Sequence, residues 1–312
     1  MTATVLITGA AGYVGSQLAQ RLSAEMNVIG VDIRQPADSP CPIFDTYIRA
    51  PALAQLMTEH NVSAVVHLAS VVENSGDEAR DYDIDVNGTR NVFESCVAAG
   101  VKQIIVTSSG AAYGYHADNP DWIDEECPLR GNDEFAYSRH KRLVEEYLAE
   151  QRREHPEVGQ LILRPGTVLG ANTRNQITNL FEKKRVLAIS GSDSPFIFIW
   201  DQDVIAIIEQ GIRQQTTGIF NLAGDGALRI DEVAELLDKP LMRIPAWVLK
   251  GVLTVGSRLG ISRYSPEQVN FLRYRPVLSN KKLKAEFPYQ PQRSSRETLE
   301  YFIEHARARG QI

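Results

Sequence analysis

The chain has 312 residues, of which 43% are hydrophobic and 23% are charged, and its formal net charge at pH 7 is −6. These proportions are typical of a soluble globular protein with enough apolar material for a large core, and they exclude a fibrous or disordered chain. The sequence has no basic cluster with interleaved aromatic residues, so we expect no nucleic-acid partner.

Local patterns argue against a disulfide-linked or zinc protein, a membrane-spanning protein and a secreted protein. Cys41, Cys96 and Cys127 lack the spacing of a disulfide framework or a zinc site, so we expect no metal. The apolar segment from Ile244 to Gly260 is interrupted by charged and polar residues, which predicts an amphipathic helix of the substrate lobe and no membrane span, and we expect no membrane partner. The chain opens on a predicted strand instead of a signal peptide, which favours the cytoplasm.

Short apolar runs alternate with helix-like segments through the first half of the chain. The predicted strands cover residues 4–8, 28–32, 64–69, 104–108 and 161–164, and the predicted helices cover 13–25, 53–60, 86–99 and 137–151. This alternation predicts an α/β fold with right-handed crossovers and a Rossmann-type doubly wound parallel sheet. The strands are apolar almost throughout, as expected where helices cover both faces of a sheet.

The alternation becomes irregular after Arg164, which predicts two domains. We assign residues 1–165 to a dinucleotide-binding domain and residues 166–312 to a smaller C-terminal substrate lobe. Residues 196–213 read as a strand and a helix, and we expect them to return to the first domain. The carboxyl ends of the predicted strands should line the ligand crevice.

The segment Thr8 to Gly15, TGAAGYVG, follows a strand and opens a helix. In that context Gly9 permits a tight turn, Gly12 lets the backbone approach a pyrophosphate, and Gly15 allows the helix to pack closely on the strand. The N-terminus of the helix offers N–H groups to phosphate. The motif therefore predicts a dinucleotide site.

Asp32 ends the second predicted strand, where a carboxylate can accept hydrogen bonds from both hydroxyls of the adenosine ribose. The same carboxylate would repel a 2′-phosphate, which favours NAD. Arg34 keeps NADP open as an alternative, because a guanidinium can hold that phosphate. Its simpler interpretation is a solvated loop arginine.

Tyr137 and Lys141 are four residues apart in a predicted helix, so both side chains fall on one face. The ammonium group favours the phenolate, and the tyrosine can then exchange a proton with a substrate hydroxyl at neutral pH. Ser109 stands at the end of a strand, where its hydroxyl can steady the substrate oxygen. Ser108 is its competitor for this role, and Thr107 is a weaker one.

Six motifs occur in an order that resembles the extended short-chain dehydrogenase/reductase family, the NAD-dependent epimerase/dehydratase superfamily. They are TGAAGYVG, VVHLAS, DVNGTRNV, VTSSGAAYG, YSRHK and RPGTVLG. The resemblance spans nearly the whole chain. Its C-terminal part is similar to 3β-hydroxysteroid dehydrogenase-like and dihydroflavonol reductase-like members.

The resemblance implies a cofactor, NAD, and a set of site residues. Counting back from Tyr113 in VTSSGAAYG, it assigns the catalytic serine to Ser109 instead of Ser108, beside Tyr137 and Lys141. It also implies a homodimer formed through the helices of residues 89–99 and 137–151. The implied cofactor-binding residues are Gly9, Gly12, Tyr13, Val14, Gly15, Asp32, Ile33, Leu68, Ala69, Asn87, Thr107, Tyr137, Lys141, Pro165, Gly166, Thr167 and Val168.

Departures from the family pattern narrow the expected reaction. Gly110 and Ala111 follow Ser109 where 4,6-dehydratases place Asp-Glu, so we do not expect dehydration. No cysteine lies beside Ser109 for the Cys/His acid–base pair that epimerases of the GDP-fucose synthase type need.

Nucleotide-sugar enzymes of the family usually carry an arginine just before the strand that here reads FIFIW. This chain has Ser194-Pro195 there, so a UDP-sugar should bind poorly unless another arginine replaces the lost guanidinium. The possible replacements are Arg174, Arg273 and Arg275.

Several polar residues near the motifs have plainer interpretations. We expect His67 to tie buried backbone, and Asn87 either to do the same or to contact the cofactor. Asp201 and Asp203 read as a helix-cap pair and not as metal ligands. His140 reads as a solvated helix residue.

The leading hypothesis is reversible hydride transfer between NAD and a small-molecule substrate, a secondary alcohol or ketone that is less polar than a sugar nucleotide. The first alternative is a UDP-glucose 4-epimerase-like nucleotide-sugar 4-epimerase, which uses the same Ser109, Tyr137 and Lys141 with a tightly held NAD. A non-catalytic NAD-sensing protein is a third possibility, against which the retention of all three side chains argues.

Overall fold

The structure of this protein is a computed structural model, and it describes residues 4–72, 75–258, 266 and 269–312. The strands are Thr4–Thr8 (β1), Asn27–Asp32 (β2), Ile43–Asp45 (β3), Val62–His67 (β4), Gln103–Thr107 (β5), Gly159–Pro165 (β6), Thr167–Leu169 (β7), Val186–Ile189 (β8), Phe198–Trp200 (β9), Gly218–Leu222 (β10) and Leu241–Ile244 (β11).

The helices alternate with these strands. They are Tyr13–Leu22 (α1), Ala52–Glu59 (α2), Glu78–Tyr82 (α3), Gly88–Ala99 (α4), Ala136–Glu154 (α5), Gln176–Phe181 (α6), Asp201–Arg213 (α7), Ile230–Leu237 (α8), Ala246–Arg258 (α9), Val269–Arg273 (α10), Lys281–Glu286 (α11) and Ser295–Ala308 (α12). A π-helical turn, Asp83–Asn87, leads into α4, and a 3₁₀ turn, Gly110–Tyr113, follows β5.

The central sheet has seven strands in the order β10-β6-β5-β4-β1-β2-β3. The pairs β1–β2, β1–β4, β2–β3, β4–β5 and β5–β6 are parallel. Successive strands run outward from β1 on one side and from β4 on the other, which confirms the predicted Rossmann-type doubly wound sheet. The order reverses between β1 and β4, where Thr8 lies in register with His67.

Apolar strands drive this architecture, because both faces of the sheet are covered by helices. All five residues of β1 are buried, and so are five of the six residues of β4. Leu6, Val65 and Ile104 from three adjacent strands are fully buried in one cluster with Phe93 of α4 and Leu148 of α5.

The predicted elements were right in kind and differ mainly at their ends. The π-helical turn takes the first residues of the helix predicted over 86–99, and β3 and α3 were missed because each is short or weakly patterned. Of the elements after β6, only β9, α7 and α9 were predicted. The predicted helix over 244–260 is observed as α9, and its last two residues lie outside the described part of the chain.

The chain divides into two compact units. The first contains residues 1–109, 140–164 and 204–220, and the second contains residues 110–139, 165–203 and 221–312. Residues 110–139 join the second unit because Tyr113 and Ile123 pack there with Val277 and Leu278. After the second unit, the chain re-enters the first unit at residue 204, whereas the sequence predicted that it re-enters at residue 196.

The second unit has its own aromatic core. Phe181, Phe196, Phe198 and Phe302 are buried together, and the rings of Phe196 and Phe198 stack with centroids 5.7 Å apart. Two small parallel sheets, β7–β9 and β8–β11, lie in this unit. An aromatic core of this size gives the unit a hydrophobic cluster separate from that of the central sheet.

Candidate active site

The loop between β1 and α1 leaves no room for a side chain at Gly9 and Gly15 and little room at Gly12. Gly9 has a φ of +72°, and a Cβ there would lie 2.9 Å from the amide nitrogen of Ala69. A Cβ added to Gly12 would lie 3.0 Å from the carbonyl oxygen of Gly9, and a Cβ added to Gly15 would lie only 2.2 Å from the same oxygen. Gly12 is also the N-cap of α1 and provides no side-chain cap, so the fit to a dinucleotide pyrophosphate is good.

Asp32 lies at the carboxyl end of β2 and is 9% exposed. Its Oδ2 accepts a hydrogen bond from the amide of Ala11 at 3.0 Å, and its Oδ1 accepts one from the amide of Arg34 at 2.9 Å. The Arg34 side chain donates to the carbonyl oxygen of Ala11 at 3.0 Å and pairs with Asp32. The Arg34 side chain is 66% exposed, as expected of a solvated loop arginine, and it also contacts the Gly-rich loop. Ile33 beside it is exposed.

His67, at the end of β4, is buried and forms hydrogen bonds with two threonines, Thr8 and Thr89. Thr89 Oγ1 donates to the carbonyl oxygen of Asp85 at 2.6 Å, so it can only accept from His67 Nε2 at 3.0 Å. Thr8 Oγ1 then donates to His67 Nδ1 at 2.7 Å. Burial, with the charge of Lys141, lowers the pKa of His67 to about 3, so the ring is neutral. These contacts give His67 a structural role.

Leu68 and Ala69 continue the chain beyond β4, beside the Gly-rich loop. Their amides donate to Thr8, from Leu68 to the carbonyl oxygen at 3.2 Å and from Ala69 to Oγ1 at 3.3 Å. Asn87 is exposed at the start of α4, and its Nδ2 donates to Asp83 Oδ1 at 2.9 Å. A contact between Asn87 and the cofactor stays a prediction.

Ser108 and Ser109 have different surroundings. Ser108 is buried, and its Oγ donates to Glu145 Oε1 at 2.5 Å. Glu145 also accepts a hydrogen bond from Arg164, whose Nη2 donates to Oε2 at 2.6 Å. This network occupies the Ser108 hydroxyl, whereas Ser109 is only half-buried and follows Thr107 at the end of β5. Ser108 is therefore part of a buried polar network, and the catalytic role of Ser109 stays a prediction.

Tyr137 and Lys141 both lie in α5, one helical turn apart, and therefore share a face of this helix. Lys141 is 6% exposed, and its Nζ donates to the carbonyl oxygen of Thr107 at 3.1 Å. The first turn of α5 is fixed by Ser138, whose Oγ donates to the carbonyl oxygen of Ala111 at 2.6 Å. The helix thus holds a half-buried phenol and a buried ammonium group at fixed positions.

His140 is buried to 1% exposure, so its prediction as a solvated helix residue was wrong. Its Nδ1 donates to Asp85 Oδ2 at 3.0 Å, and its ring lies edge-on to Tyr82. Asp85 also accepts from Ser70 Oγ and the amide of Val71. Burial opposes ionisation of Asp85, but the hydrogen bond from His140 and the charge of Lys141 hold its pKa below the ordinary value.

The segment Pro165–Val168 passes from β6 into β7 in the second unit. Gly166 donates from its amide to the carbonyl oxygen of Leu222 at 2.9 Å, and a Cβ there would lie 3.0 Å from Ile197. The segment is half-buried throughout. Its contact with the cofactor stays a prediction.

Arg275 contacts Ser194, which stands where nucleotide-sugar enzymes of the resembled family usually carry an arginine. The guanidinium Nη1 donates to the carbonyl oxygen of Ser194 at 3.1 Å and to its Oγ at 3.3 Å, and the group stacks over the Phe196 ring at 3.8 Å. Desolvation lowers the pKa of Arg275 to about 10, which leaves it cationic at neutral pH. By contrast, Arg174 is exposed, and Arg273 lies over the Tyr274 ring.

A polar cavity of about 400 Å³ lies in the same unit. Its lining includes Tyr115, Arg130, Asn132 and Tyr274. The rings of Tyr115 and Phe271 are 5.2 Å apart, and Phe271 also lies within 5.8 Å of Arg275. The cavity is of the size that small polar ligands occupy in proteins.

Asp201 and Asp203 lie in the first turn of α7, and their role as a helix-cap pair stays a prediction. Asp203 also accepts hydrogen bonds from Tyr289 Oη at 2.7 Å and from the amide of Gln292 at 3.0 Å, so it ties α7 to the chain before α12.

Within the described residues, no group of His, Cys, Asp or Glu side chains could hold a metal ion. In the same part of the chain, no helix has the length and apolar character to cross a bilayer.

Comparisons with known proteins place the chain in a family. The model for the NAD dependent epimerase/dehydratase family matches residues 5–202. The chain is 25% identical over 321 residues to a Mycobacterium bovis protein of uncharacterized activity, with 98% of this chain and 84% of the relative covered. It is 27% identical over 262 residues to the N-acetyl-alpha-D-glucosaminyl-diphospho-ditrans,octacis-undecaprenol 4-epimerase of Escherichia coli O157:H7, with coverage of 78% and 76%.

Solved structures share the fold. The UDP-glucose 4-epimerase of Thermotoga maritima, solved with UDP-glucose, superposes with a TM-score of 0.76 at 19% identity, covering 98% of this chain and 99% of that one. WbmG of Bordetella bronchiseptica, solved with NAD and UDP, has a TM-score of 0.77 at 19% identity, with coverage of 98% and 94%. The family match extends over more than half of the sequence, and the chain is therefore an enzyme of the NAD-dependent epimerase/dehydratase family with NAD as its cofactor.

Proposed function

We propose that this enzyme is a 4-epimerase of a sugar carried on a diphosphate. The observation that carries the proposal is the Arg275 guanidinium against Ser194, at the place where the sequence lacks the usual arginine. That lack was the reason to prefer a less polar alcohol as substrate. With Arg275 there, the second unit has a cation suited to phosphate recognition.

The relatives support the same choice. The E. coli relative is a 4-epimerase of a diphosphate-linked sugar, and UDP-glucose 4-epimerase 2 of Oryza sativa is 32% identical over 189 residues, with 54% of this chain and 45% of that protein covered. A dehydrogenase acting on a secondary alcohol would use the same catalytic side chains, so the two activities must be separated by experiment.

In the proposed reaction, bound NAD supplies a hydride acceptor and donor. Tyr137 takes the proton from the sugar hydroxyl and later returns it, Lys141 favours the phenolate, and Ser109 donates a hydrogen bond to the reacting oxygen. The hydroxyl carbon loses and regains its hydrogen on opposite faces, so no net oxidation occurs.

The proposed cofactor contacts follow the placement of the motifs. We assign the pyrophosphate to the Gly-rich loop, the adenosine ribose to Asp32 and the nicotinamide ribose to Lys141. The remaining proposed contacts are Tyr13, Val14, Ile33, Leu68, Ala69, Asn87, Thr107, Tyr137, Pro165, Gly166, Thr167 and Val168.

The test is incubation of the enzyme and NAD with UDP-glucose, UDP-galactose and their N-acetyl counterparts. An epimerase gives the C4 epimer by NMR with no accumulation of reduced nicotinamide. Stoichiometric appearance of reduced nicotinamide with an oxidised product would show a dehydrogenase and overturn the proposal. Tyr137→Phe should abolish turnover in either case while NADH binding persists.

Arg275→Met tests the substrate assignment directly, because it keeps the stacking volume and removes the charge. We expect KM for the UDP-sugar to rise about tenfold or more, as for loss of a charge-assisted hydrogen bond to phosphate. Arg273→Met is the matched control, since the Arg273 guanidinium lies over Tyr274. Equal effects of the two variants would remove Arg275 from substrate binding.

We also propose a homodimer formed through α4 and α5. The two helices are packed side by side, with the Arg90 guanidinium 5.3 Å from the Tyr147 ring and Phe93 edge-on to Tyr147. Together they offer one two-helix surface for a symmetric contact. Light scattering after size exclusion tests the proposal, and the mass of a single chain would contradict it.

A further inference from the structure

Helix α9 turns apolar side chains to the solvent. Trp247 is 77% exposed, Val252 61% and Val255 58%. Trp247 and Val255 are eight residues apart and Val252 is three before Val255, so these side chains occupy one side of the helix. Met242, in the strand β11 just before the helix, is also exposed. A group of exposed apolar side chains of this kind is uncommon in a protein that contacts only water.

The opposite side of α9 faces the protein. Leu249 and Leu253 are only partly exposed, and α9 packs against α10. The helix therefore already has a buried side, and the apolar residues on its outer side are additional. We call the outer residues Met242, Trp247, Lys250, Val252 and Val255 the α9 face.

The sequence around the α9 face is basic in an acidic protein. From residue 239 to residue 266 there are five basic residues and no acidic one, although the whole chain carries a net charge of −6. Lys250 on α9 and Arg243 on β11 are exposed. These two exposed cations favour a positive field at this surface.

A second basic group lies at the start of β8. Lys183, Lys184 and Arg185 are exposed and lead directly into Val186, which pairs with Leu241 of β11. Because β8 and β11 are parallel, this basic group lies beside the first residue of β11, at the end of the strand away from α9. The five residues from Leu241 to the start of α9 separate the two by up to about 16 Å. In the sequence, the acidic residues that border these basic stretches are Glu182, Asp238 and Glu267, and Glu182 accepts a hydrogen bond from Gln311.

We propose that the α9 face binds the surface of an anionic lipid bilayer. Tryptophan favours the boundary between lipid and water, branched aliphatic side chains enter the acyl region, and lysine and arginine attract anionic headgroups. A helix of 13 residues is about 20 Å long, so it lies in the plane of the interface and does not span the bilayer.

Two other partners of the α9 face, a second copy of this chain and a nucleic acid, fit its side chains less well. In a symmetric contact with a second copy, the basic residues around α9 would face the same residues of the partner, and like charges oppose such a contact. Nucleic acid would satisfy the charge, but Val252, Val255 and Met242 cannot stack on bases. An anionic bilayer satisfies both the charge and the apolar side chains.

The test is flotation of the full-length enzyme with vesicles of phosphatidylcholine alone and of phosphatidylcholine mixed with phosphatidylglycerol. We expect the enzyme to float with the mixed vesicles, to release as salt is raised, and to stay behind with the neutral ones. Brominated lipids should quench tryptophan fluorescence, and the quenching should disappear in Trp247→Ala.

Matched variants assign the binding to this surface. Trp247→Ala should weaken vesicle binding about tenfold through loss of buried apolar area, and Lys250→Gln about fivefold through loss of one charge. Trp122→Ala and Lys281→Gln are the controls, because both residues are exposed in the same unit and lie outside the α9 face. Each control should stay within about twofold of wild type.

Four results would overturn the proposal. They are no flotation with the mixed vesicles, equal flotation with neutral vesicles, equal losses in Trp122→Ala and Trp247→Ala, and a change of oligomeric state in Trp247→Ala that accompanies its loss of binding. NADH binding by each variant verifies that it is folded, and none of these readouts depends on the identity of the sugar substrate.

Discussion

His140 donates a hydrogen bond from Nδ1 to Oδ2 of Asp85 at 3.0 Å, and both side chains are buried. Asp85 lies in the π-helical turn before α4, and it also holds the chain after β4 through Ser70 and Val71. The pair therefore ties α5 to two other segments of the first unit. Since Lys141 follows His140 directly, the pair fixes the turn of α5 from which the ammonium group projects.

Replacing His140 by alanine should cost about 1–3 kcal/mol of unfolding free energy, because Asp85 loses a donor in a buried site. Turnover should fall further than stability alone explains, through displacement of Lys141, while KM changes little. Urea denaturation and steady-state kinetics measure the two effects. His155→Ala at the end of the same helix is the control, since His155 is partly exposed. Unchanged turnover in a stable His140→Ala protein would contradict the positioning role.

The sequence could have indicated this pair only in part. Helical spacing places His140 three residues after Tyr137, close to the face that carries Tyr137 and Lys141. Spacing alone does not say whether that face is covered, and the covering group, Asp85, is 55 residues away. The burial of His140 therefore depends on a tertiary contact that local periodicity cannot show.

Gly15→Ala should destroy the Gly-rich loop, because the new Cβ would lie 2.2 Å from the carbonyl oxygen of Gly9. NADH binding, measured by fluorescence titration, should be lost, and the melting temperature should fall. Gly251→Ala is the matched helical control, since nothing lies within 4 Å of its Cβ position. It should bind NADH normally and be slightly more stable. Wild-type affinity in Gly15→Ala would mean that the loop does not hold the cofactor.

Ser108→Ala and Ser109→Ala should have opposite effects. The first removes the hydroxyl that donates to Glu145 and should cost about 1–3 kcal/mol of stability with near-normal turnover. The second should lower kcat about 100-fold with stability unchanged, as for loss of one donor to a reacting oxygen. Thermal melts and kinetics of both variants decide the matter. The reverse outcome would move the catalytic role to Ser108.

Asp32→Ala should relax the preference for NAD over NADP. The carboxylate that would repel a 2′-phosphate disappears, and Arg34 loses its ion-pair partner and can approach that phosphate. We expect the affinity for NADH to fall about tenfold, while that for NADPH holds or rises. Asp38→Ala, in the same exposed loop, should change neither. Parallel losses for both cofactors would show that Asp32 acts only on loop structure.

The substrate unit was less predictable than the dinucleotide loop. A glycine motif followed by a helix is a local pattern, so Gly9, Gly12 and Gly15 could be assigned from the sequence alone. The Arg275 contact joins residues 81 positions apart, and the sequence could offer it only as one of three arginines. Which of them reaches Ser194 is decided by the packing of the second unit around Phe196.

His67 should make the protein lose stability as the pH falls. Its folded pKa is about 3, below the ordinary value of about 6.5, so the unfolded chain binds a proton that the folded protein refuses. Above about pH 6.5 the residue has no effect, and below it the unfolding free energy should drop by up to about 1.4 kcal/mol per pH unit. His67→Gln removes this proton, so the difference between wild type and variant isolates the effect from other titrating groups. Urea denaturation from neutral to mildly acidic pH measures it. Parallel curves for the two proteins would mean that His67 is protonated in the fold.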